Sequence, residues 1–402
     1  MAKLLVLPGC QNTLGGTTVS LSLMLKGFEQ CGISEQLCVL VKSNSLMERY
    51  LRQVGQTSYL QIVQEREFMK HALHWVSEQP KDYPLLLENC VVRKILPSLI
   101  LAAPALRLSG RPVYHVFRDQ TRSPNLLGNL ARKIAFACLS PRAICNSRFT
   151  ASHVQSLVSE IQEILYPPID PQRFNDSPAT SSPPANLQPI LNSGARLMLT
   201  PSRITAPEQV NDKNLRSLPL VLAQLKTLGH NYHGVVIGED ASPGQSLTRA
   251  LLDRAESLGV ADRFTVLPAT FAIEDYYKYA DVVVTLAPRE PFGRTVVEAI
   301  ACGVPVVGSN TGGIGEILQN FAPEWAVDPN DPVAAAEAIV RLSADLNTPT
   351  TLVQGRRWVE TYCSAVGYAR AIARITGLVP LDASDRLRSS DENCFLAPTS
   401  GI

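Results

Sequence analysis

Apolar runs of strand length alternate along the chain with longer segments in which apolar residues recur at helical spacing. In the first half of the chain these runs lie at 3–7, 37–41, 84–87, 112–117 and 142–145. In the second half they lie at 196–200, 234–238, 264–268, 281–288 and 304–309. Continuous apolar strands are typical of parallel sheets that are covered by helices on both faces. The pattern therefore predicts an α/β protein built from two doubly wound, Rossmann-like sheets.

The two sets of strands are separated by a stretch rich in proline, serine and asparagine. Residues 175–194 read "NDSPATSSPPANLQPILNSG" and carry no charge after Asp176. This composition is typical of an interdomain linker. We predict an N-terminal domain over 1–174, a linker over 175–194, a C-terminal domain over 195–354 and a polar tail over 381–402. The length of 402 residues agrees with two domains, because single hydrophobic cores stop growing at roughly 250–300 residues.

Overall composition excludes several classes of protein. The apolar fraction is 45%, the charged fraction is 18% and the net charge is +1, so we expect a globular protein that binds no nucleic acid. The 9 cysteines show no C-x-x-C spacing, which favours free thiols in the cytoplasm over disulfides or a zinc site. The most lipid-like stretch, 95–108, contains two prolines and is shorter than the roughly 20 residues of a membrane span.

Glycine-rich turns follow three of the predicted strands. Gly15 and Gly16 stand between strand 3–7 and a helix that begins near Thr17, Gly293 precedes a helix from about Arg294, and "SNTGGIGE" occupies 309–316. Backbone N–H groups and the helix dipole at such turns favour phosphate. The chain contains neither G-x-G-x-x-G after its first strand nor a P-loop motif. One such turn alone is equally well explained as an ordinary loop, but three facing one cleft predict a phosphate-bearing substrate.

The stretch "EPFGRTVVE" places Glu290 and Glu298 on either side of the second turn. Paired carboxylates in glycosidases lie about 5–9.5 Å apart, whereas eight residues of helix would separate these two by about 12 Å. We therefore expect them to accept hydrogen bonds from different parts of one elongated ligand. Without further support, a helix-dipole cap at Glu290 and a solvated Glu298 would be the simpler interpretation.

That support comes from a longer similarity. The stretch "EPFGRTVVEAIACGVPVVGSNTGGIGEIL" resembles the E-x7-E region of retaining glycosyltransferases with the GT-B fold, glycosyltransferase family 4 (glycosyl transferases group 1). The segments "LGGTTVSLSLML", "PVYHVFRD", "AICNSRFTASHV" and "ILYPPIDPQRF" resemble further landmarks of the family in the same order, although the last lacks the usual Asn-Gly turn. The resemblance covers most of residues 1–320, and we also predict that a helix near 355–380 completes the N-terminal domain.

The resemblance implies two catalytic residues and a set of donor contacts. Glu290, with backbone N–H groups around Phe292 and Gly293, would hold the donor sugar, and Glu298 would accept hydrogen bonds from the ribose hydroxyls. His115, predicted to end its strand at the cleft, would contact the transferred sugar. A histidine at such a position, taken alone, is more often a satisfied core residue.

Further donor contacts follow from the same resemblance. Arg203 and Lys213 would neutralise the diphosphate, Gly15 and Gly16 would let the N-terminal backbone approach it, and Leu267 would lie near the base. Arg294 and Thr295, at the start of the helix, complete the set. The ten positions between Arg203 and Lys213 are more than the family usually has, and an ungapped alignment would place Glu208 or Gln209, neither of them a cation, where the lysine is expected.

The resemblance implies the retaining transfer of a hexose-type sugar from a nucleoside-diphosphate donor to an acceptor hydroxyl, with UDP favoured over GDP by its frequency in the family. No metal or other cofactor is expected, because Arg203 and a lysine would carry the diphosphate charge and the chain has no D-x-D motif. A sugar-nucleotide epimerase, another enzyme of this shape such as a pyridoxal-phosphate phosphorylase, and a non-catalytic partner subunit are the alternatives.

Charge is distributed unevenly between the two halves. Residues 91–150 contain ten lysines and arginines and one acid, Asp119, so this segment carries +9 and the rest of the chain, with a total of +1, carries −8. An acceptor that is anionic or lipid-linked, or an anionic membrane surface contacted by a basic amphipathic helix over 125–139, would suit this charge. The alternatives are that the charges are dispersed or only steer the donor. The sequence leaves the oligomeric state open.

Overall fold

The computed structural model describes residues 2–13, 15–64, 66–122, 125–179, 182–207, 210 and 212–378. Strands and helices alternate throughout. The first half comprises β1 (Leu4–Pro8), α1 (Gly16–Gln30), β2 (Leu37–Lys42), α2 (Leu46–Gln53), β3 (Leu60–Val63), α3 (Phe68–Glu78), β4 (Leu85–Glu88), α4 (Leu96–Leu108), β5 (Val113–Phe117), α5 (Leu126–Leu139), β6 (Arg142–Cys145), α6 (Arg148–Val154) and β7 (Glu160–Ile164).

The second half repeats the alternation and ends in helices. It comprises α7 (Gln188–Asn192), β8 (Arg196–Pro201), α8 (Leu218–Thr227), β9 (Tyr232–Ile237), α9 (Ser246–Ser257), β10 (Phe264–Leu267), α10 (Ile273–Tyr277), β11 (Val282–Thr285), α11 (Arg294–Ala301), β12 (Val306–Ser309), α12 (Gly312–Leu318), β13 (Ala326–Val327), α13 (Pro332–Ala344), α14 (Thr348–Tyr362) and α15 (Ala365–Ile375).

The strands form two parallel sheets. One has seven strands in the order β3-β2-β1-β4-β5-β6-β7, and the other has six in the order β10-β9-β8-β11-β12-β13. In both sheets the order reverses beside the first strand, which defines a doubly wound fold and places ligand crevices at the carboxyl ends of the strands. The predicted fold class is confirmed.

The sequence pattern missed three strands, and each lies at the edge of its sheet. β3 and β7 are the two outer strands of the first sheet, and β13 is an outer strand of the second. An edge strand keeps one flank and part of its faces in water, so its side chains need not form a continuous apolar run. β7, for example, reads Glu-Ile-Gln-Glu-Ile and none of its residues is fully buried.

The stretch predicted as a linker packs against the second half of the chain. It contains α7, and Leu187 and Ile190 join the core formed with β8 and its neighbours. At the other end, α15 packs on α1, where a Cβ atom at Gly27 would overlap the carbonyl of Ala365, and Tyr368 lies in the core of the first sheet. The domain limits stay predictions, and the predicted tail over 381–402 lies outside the described residues.

The carboxyl-terminal edges of the two sheets contact each other directly. Gln120, after β5, donates from Nε2 to the carbonyl of Arg289, after β11, at 2.7 Å. The carboxylate of Glu316 in α12 accepts from the backbone N–H groups of Arg148 at 2.9 Å and Phe149 at 3.1 Å. These contacts hold the loops after β5 and β6 against the loops that carry the predicted site.

The predicted lipid-like stretch forms α4, which has 13 residues and contains Pro104. Within the described part of the chain, no helix combines the length and the apolar character needed to cross a membrane.

Candidate functional site

Two glycine turns of the second sheet interlock. Gly293 begins α11 with a left-handed backbone (φ 103°), and a Cβ atom there would lie 3.3 Å from the Cα atom of Ile314 in α12. The N–H of Gly313 donates to the carbonyl of Glu290 at 2.7 Å, and a Cβ atom at Gly313 would overlap the carbonyl of Phe292. The turn after β12 therefore supports the loop after β11 by backbone packing. This close packing explains the glycines of the turn after β12 without a bound phosphate.

Glu298 lies on the second turn of α11 in a largely buried position. Its Oε1 atom accepts from Nε of Arg294 at 2.7 Å, with 12% of the Glu298 side chain exposed, and its Oε2 atom accepts from the hydroxyl of Tyr277 at 3.2 Å. Burial raises the pKa of Glu298, and the neighbouring Arg294 opposes that rise. Both oxygens of this carboxylate therefore accept hydrogen bonds, which offset the loss of hydration that burial imposes on it.

Glu290 pairs with Lys213. The ammonium group contacts Oε2 of Glu290, and 17% of the lysine and 21% of the glutamate side chain remain exposed. The loop between β8 and α8 therefore brings Lys213 to the glutamate despite the unusual spacing. Glu208 and Gln209, which an ungapped alignment would prefer, lie outside the described residues.

Arg294 extends from α11 to the first half of the chain. One of its terminal nitrogens lies 3.4 Å from Oγ of Ser20 in α1 and 3.3 Å from the carbonyl of Pro168. A Cβ atom at Gly16 would lie 3.8 Å from Cδ of Arg294, and one at Gly15 would meet nothing within 4 Å. The first glycine turn therefore faces the start of α11, although no protein contact requires glycine there.

The remaining predicted donor contacts lie around the same edge. Arg203 is exposed two residues after β8, and Thr295 donates to the carbonyl of Pro201, the last residue of β8, at 3.4 Å. Leu267 ends β10 with intermediate exposure. The ring of Phe292 is buried and stacks on Tyr166 with centroids 5.8 Å apart, so only its backbone is available to a ligand.

The predicted position of His115 is wrong. It is the third of five residues in β5 rather than the last, and its side chain is fully buried. Its Nε2 atom accepts from the N–H of Cys90 at 3.0 Å, its ring packs against Phe117 and Phe136, and burial lowers its pKa to about 3. A neutral, enclosed imidazole of this kind supports the sheet and does not reach a ligand in this structure.

The sequence analysis missed the polar residues that do stand at the end of β5. Arg118 pairs with Glu88 through Nε–Oε2 at 2.9 Å, with 6% and 0% of the two side chains exposed, and also donates to the hydroxyl of Tyr368 at 3.3 Å. Asp119 is half-buried beside it, and burial raises its pKa. The sequence could have indicated both residues, because charged side chains that directly follow an apolar run such as 112–117 lie at the carboxyl end of a buried strand.

Two buried oxygens complete this edge. Oε1 of Gln120 and Oδ1 of Asn146 accept no hydrogen bond from any described residue. Their amide nitrogens are occupied, since Gln120 donates to Arg289 at 2.7 Å and Asn146 donates to the carbonyl of Arg118 at 3.2 Å. Buried acceptors of this kind are uncommon in native proteins, and both follow strands of the first sheet where it faces the second. Over the described ranges, no group of three or more His, Cys, Asp or Glu side chains could hold a metal ion.

The chain is similar to known proteins in the half that carries the predicted donor site. Residues 203–357, which include Lys213, Glu290 and Glu298, match the family model of glycosyl transferases group 1. The matched range begins at Arg203 and ends within α14. It therefore contains both glutamates and the strands and helices of the second sheet that follow β8.

Curated proteins similar to this chain include two D-inositol 3-phosphate glycosyltransferases. The one from Salinispora arenicola is 31% identical over 153 residues, which is 38% of this chain and 34% of that protein. The one from Segniliparus rotundus is 28% identical over 280 residues, which is 65% of this chain and 59% of that protein. The chain thus spans between about a third and three fifths of these relatives.

Solved structures share the fold over nearly the whole chain. Anabaena Alr3699/HepE in complex with UDP matches with a TM-score of 0.75 at 19% identity, covering 94% of this chain and 100% of that one. Sucrose-phosphate synthase from Thermosynechococcus elongatus matches with a TM-score of 0.65 at 17% identity, covering 94% and 98%. The chain therefore has a GT-B fold, and the residues that match the family model lie in its second half.

Proposed function

We propose that this protein is a retaining glycosyltransferase that moves a hexose-type sugar from a nucleoside-diphosphate donor to an acceptor hydroxyl. The observation that carries the proposal is the pair of glutamates on either side of the start of α11, each held by a cation, with the cation of Glu298 facing the glycine turn of α1. In a nucleotide-sugar the diphosphate links the sugar to the ribose. We propose that Glu290 accepts hydrogen bonds from the sugar and Glu298 from the ribose. Lys213 and Arg203 would neutralise the diphosphate between them.

Glu298 is the proposed partner of the ribose. A carboxylate can accept one hydrogen bond on each oxygen from a vicinal diol, and its two oxygens are now occupied by Arg294 and Tyr277. Ribose would displace the tyrosine hydroxyl or share its acceptor. Because burial raises the pKa of Glu298, nucleotide binding should be lost on acidification at a higher pH than for an ordinary glutamate.

Lys213 and Glu290 form a pair that the donor would separate. In the absence of a ligand, each neutralises the other in a partly exposed position. A diphosphate is a stronger partner for the ammonium group than one carboxylate, so donor binding would turn Lys213, with Arg203, toward the phosphates. Glu290 would then be free to accept hydrogen bonds from the sugar hydroxyls.

The chemical step needs charge neutralisation and one proton transfer. The bond between the anomeric carbon and the phosphate oxygen breaks, and the acceptor oxygen attacks the same face of the sugar. The acceptor proton moves to the departing phosphate, while Lys213, Arg203 and the N–H groups at the start of α11 stabilise the negative charge.

The donor is proposed to be a UDP-sugar, with a GDP-sugar as the second choice. Similar structures are described in complex with UDP and with UDP-glucose, which supports this choice by analogy of fold only. A thermal-shift screen against UDP, GDP, ADP and their sugars tests it, since a ligand that binds the folded state raises the melting temperature. Stabilisation by none of them would contradict the proposal.

Turnover separates this proposal from its alternatives. Release of nucleoside diphosphate with an α-linked product from an α-linked donor indicates a retaining transferase, whereas a change of the sugar with the nucleotide still attached indicates an epimerase. Absorbance of bound pyridoxal phosphate would indicate a phosphorylase, and binding without turnover would indicate a partner subunit.

We also propose that transfer needs no divalent metal. Lys213 and Arg203 would neutralise the diphosphate, which a metal ion does in D-x-D enzymes. Turnover should keep at least half of its rate in excess chelator. Complete loss that manganese or magnesium restores would overturn this part while leaving the transferase assignment in place.

A further inference from the structure

Helices α4 and α5 lie side by side on one face of the first sheet. They connect β4 to β5 and β5 to β6, which are adjacent and parallel. Crossovers between parallel strands are right-handed, so both helices cover the same face. Each begins near the carboxyl-terminal edge of the sheet, and α5 follows the Arg118–Asp119 segment within ten residues.

The outer face of α5 is apolar. Four of its large aliphatic side chains are exposed, with relative exposures of 84% at Leu126, 66% at Leu127, 53% at Leu130 and 44% at Ile134. The spacing 126, 130, 134 places three of them along one stripe of the helix. A helix on the surface of a globular protein normally turns polar side chains to water, whereas this stripe has no packing partner among the described residues.

The outer face of α4 has the same character. Its exposed side chains include Leu101 and Leu108, with relative exposures of 78% and 89%, on one stripe with Pro97, Pro104 and Ala105. Helix α9 of the other sheet shows the usual arrangement, since its exposed residues include Arg249, Asp253, Arg254 and Glu256. The apolar surface is therefore a property of α4 and α5 and not of the molecule's helices in general.

Positive charge surrounds these two stripes. Arg93 and Lys94 precede α4, Arg107 lies in its last turn and Lys133 lies on α5, and all four are exposed. The only acid in 91–150 is the half-buried Asp119. Not all basic residues of 91–150 contribute to this surface. Arg111 is buried and donates to four backbone carbonyls, and Arg118 pairs with Glu88. For these two, the alternative that the charges are dispersed holds.

We propose that the outer faces of α4 and α5 form a docking surface for an anionic lipid bilayer. Exposed leucines on helices that lie flat would enter the boundary between headgroups and acyl chains, and the flanking lysines and arginines would contact anionic headgroups. A second copy of the chain is a poorer occupant, because a symmetric contact would bring the same basic residues together. Docking would also bring the cleft edge near α5 close to the membrane, where it would meet a lipid-linked acceptor, a consequence that rests on the proposed function.

Co-sedimentation of the full chain with vesicles tests the proposal. We expect binding to phosphatidylcholine vesicles containing 30% phosphatidylglycerol at low salt, at least tenfold weaker binding to pure phosphatidylcholine, and weakening with added salt. Leu127→Gln/Leu130→Gln should reduce binding at least tenfold, and Arg107→Gln/Lys133→Gln should reduce it several-fold. Arg132 is left unchanged, because it donates to the carbonyls of Val91 and Gly128.

A matched control lies on the other half of the molecule. Leu346 is 94% exposed, so Leu346→Gln/Arg254→Gln removes one exposed leucine and one exposed arginine outside the surface and should leave vesicle binding unchanged. No binding to anionic vesicles at low salt would overturn the proposal, as would a dimer in solution that Leu127→Gln/Leu130→Gln dissociates. Donor binding is measured without vesicles, so either result leaves the proposed transferase function untouched.

Discussion

The two sheet edges that face each other use their charges in different ways. At the end of β4 and β5, Glu88 and Arg118 form an ion pair with 0% and 6% of their side chains exposed. At the edge of the second sheet, Lys213 and Glu290 remain 17% and 21% exposed. The first pair is enclosed by the protein and the second is open to a ligand.

This difference separates a structural ion pair from one that we propose to bind the donor. A buried pair gains little net stability, but removal of one partner leaves a charge without compensation. A partly exposed pair costs less to separate than an enclosed one, because water or a ligand can replace either partner. Substitutions at the first edge should therefore reduce stability, and those at the second should reduce function.

The largest effect is expected at the buried pair. Glu88→Gln leaves Arg118 charged and enclosed, so the free energy of unfolding should fall by about 3–5 kcal/mol. Denaturant unfolding followed by fluorescence measures it. Glu88→Gln/Arg118→Met removes both charges and should recover at least half of the loss; equal stability of the single variant and the wild type would contradict the scaffold role.

The next largest effects are expected at Glu290 and Glu298, and they distinguish the proposed roles of these two residues. Glu298→Gln should weaken UDP binding, and Glu290→Gln should lower kcat with little change in UDP affinity, each costing about 2–4 kcal/mol in transition-state stabilisation. Calorimetry and steady-state rates at saturating acceptor measure the two quantities. Wild-type rates in either variant would remove that residue's assignment, and affinity that does not fall on acidification would argue against an ionised Glu298.

His115 provides a pH test of the scaffold edge. Its folded pKa of about 3 lies below the usual value of about 6.5 for an unfolded histidine, so the unfolded state takes up the proton first and stability falls as pH drops below about 6.5. Between pH 7 and pH 5 this group alone should remove about 2 kcal/mol. His115→Gln, which keeps an acceptor for Cys90, should lose that much less over the same range, and parallel pH profiles of variant and wild type would count against it.

The smallest effect is expected at Gly16, where the two edges meet. A methyl group there would lie 3.8 Å from Arg294 and alanine favours helix, so Gly16→Ala should leave the free energy of unfolding equal or slightly higher. If a diphosphate approaches this backbone, UDP affinity should still fall by about tenfold, or ~1.4 kcal/mol. Unchanged affinity together with unchanged stability would show that the first glycine turn does not contact the nucleotide.

The sequence alone determined the fold class and singled out the edge where we propose that the donor binds. Fully buried strands such as β1, β5 and β11 have to be apolar along their whole length, which makes them visible as runs. Glu290, Gly293 and Glu298 were visible because their spacing around a glycine turn resembles a known motif. The half-exposed edge strands β3 and β7 were missed because nothing forces them to be apolar.

Tertiary structure alone decided which residues meet. The spacing between Arg203 and Lys213 disfavoured the lysine, yet the loop brings it to Glu290, because a loop's path is set by what it packs on and not by its length. His115 was placed at the cleft although the strand continues for two residues beyond it and the core encloses its ring. Whether a polar residue supports the fold or faces a ligand depends on neighbours that are distant in sequence, as Glu88, Arg118 and Tyr368 show, and only the folded chain brings those neighbours together.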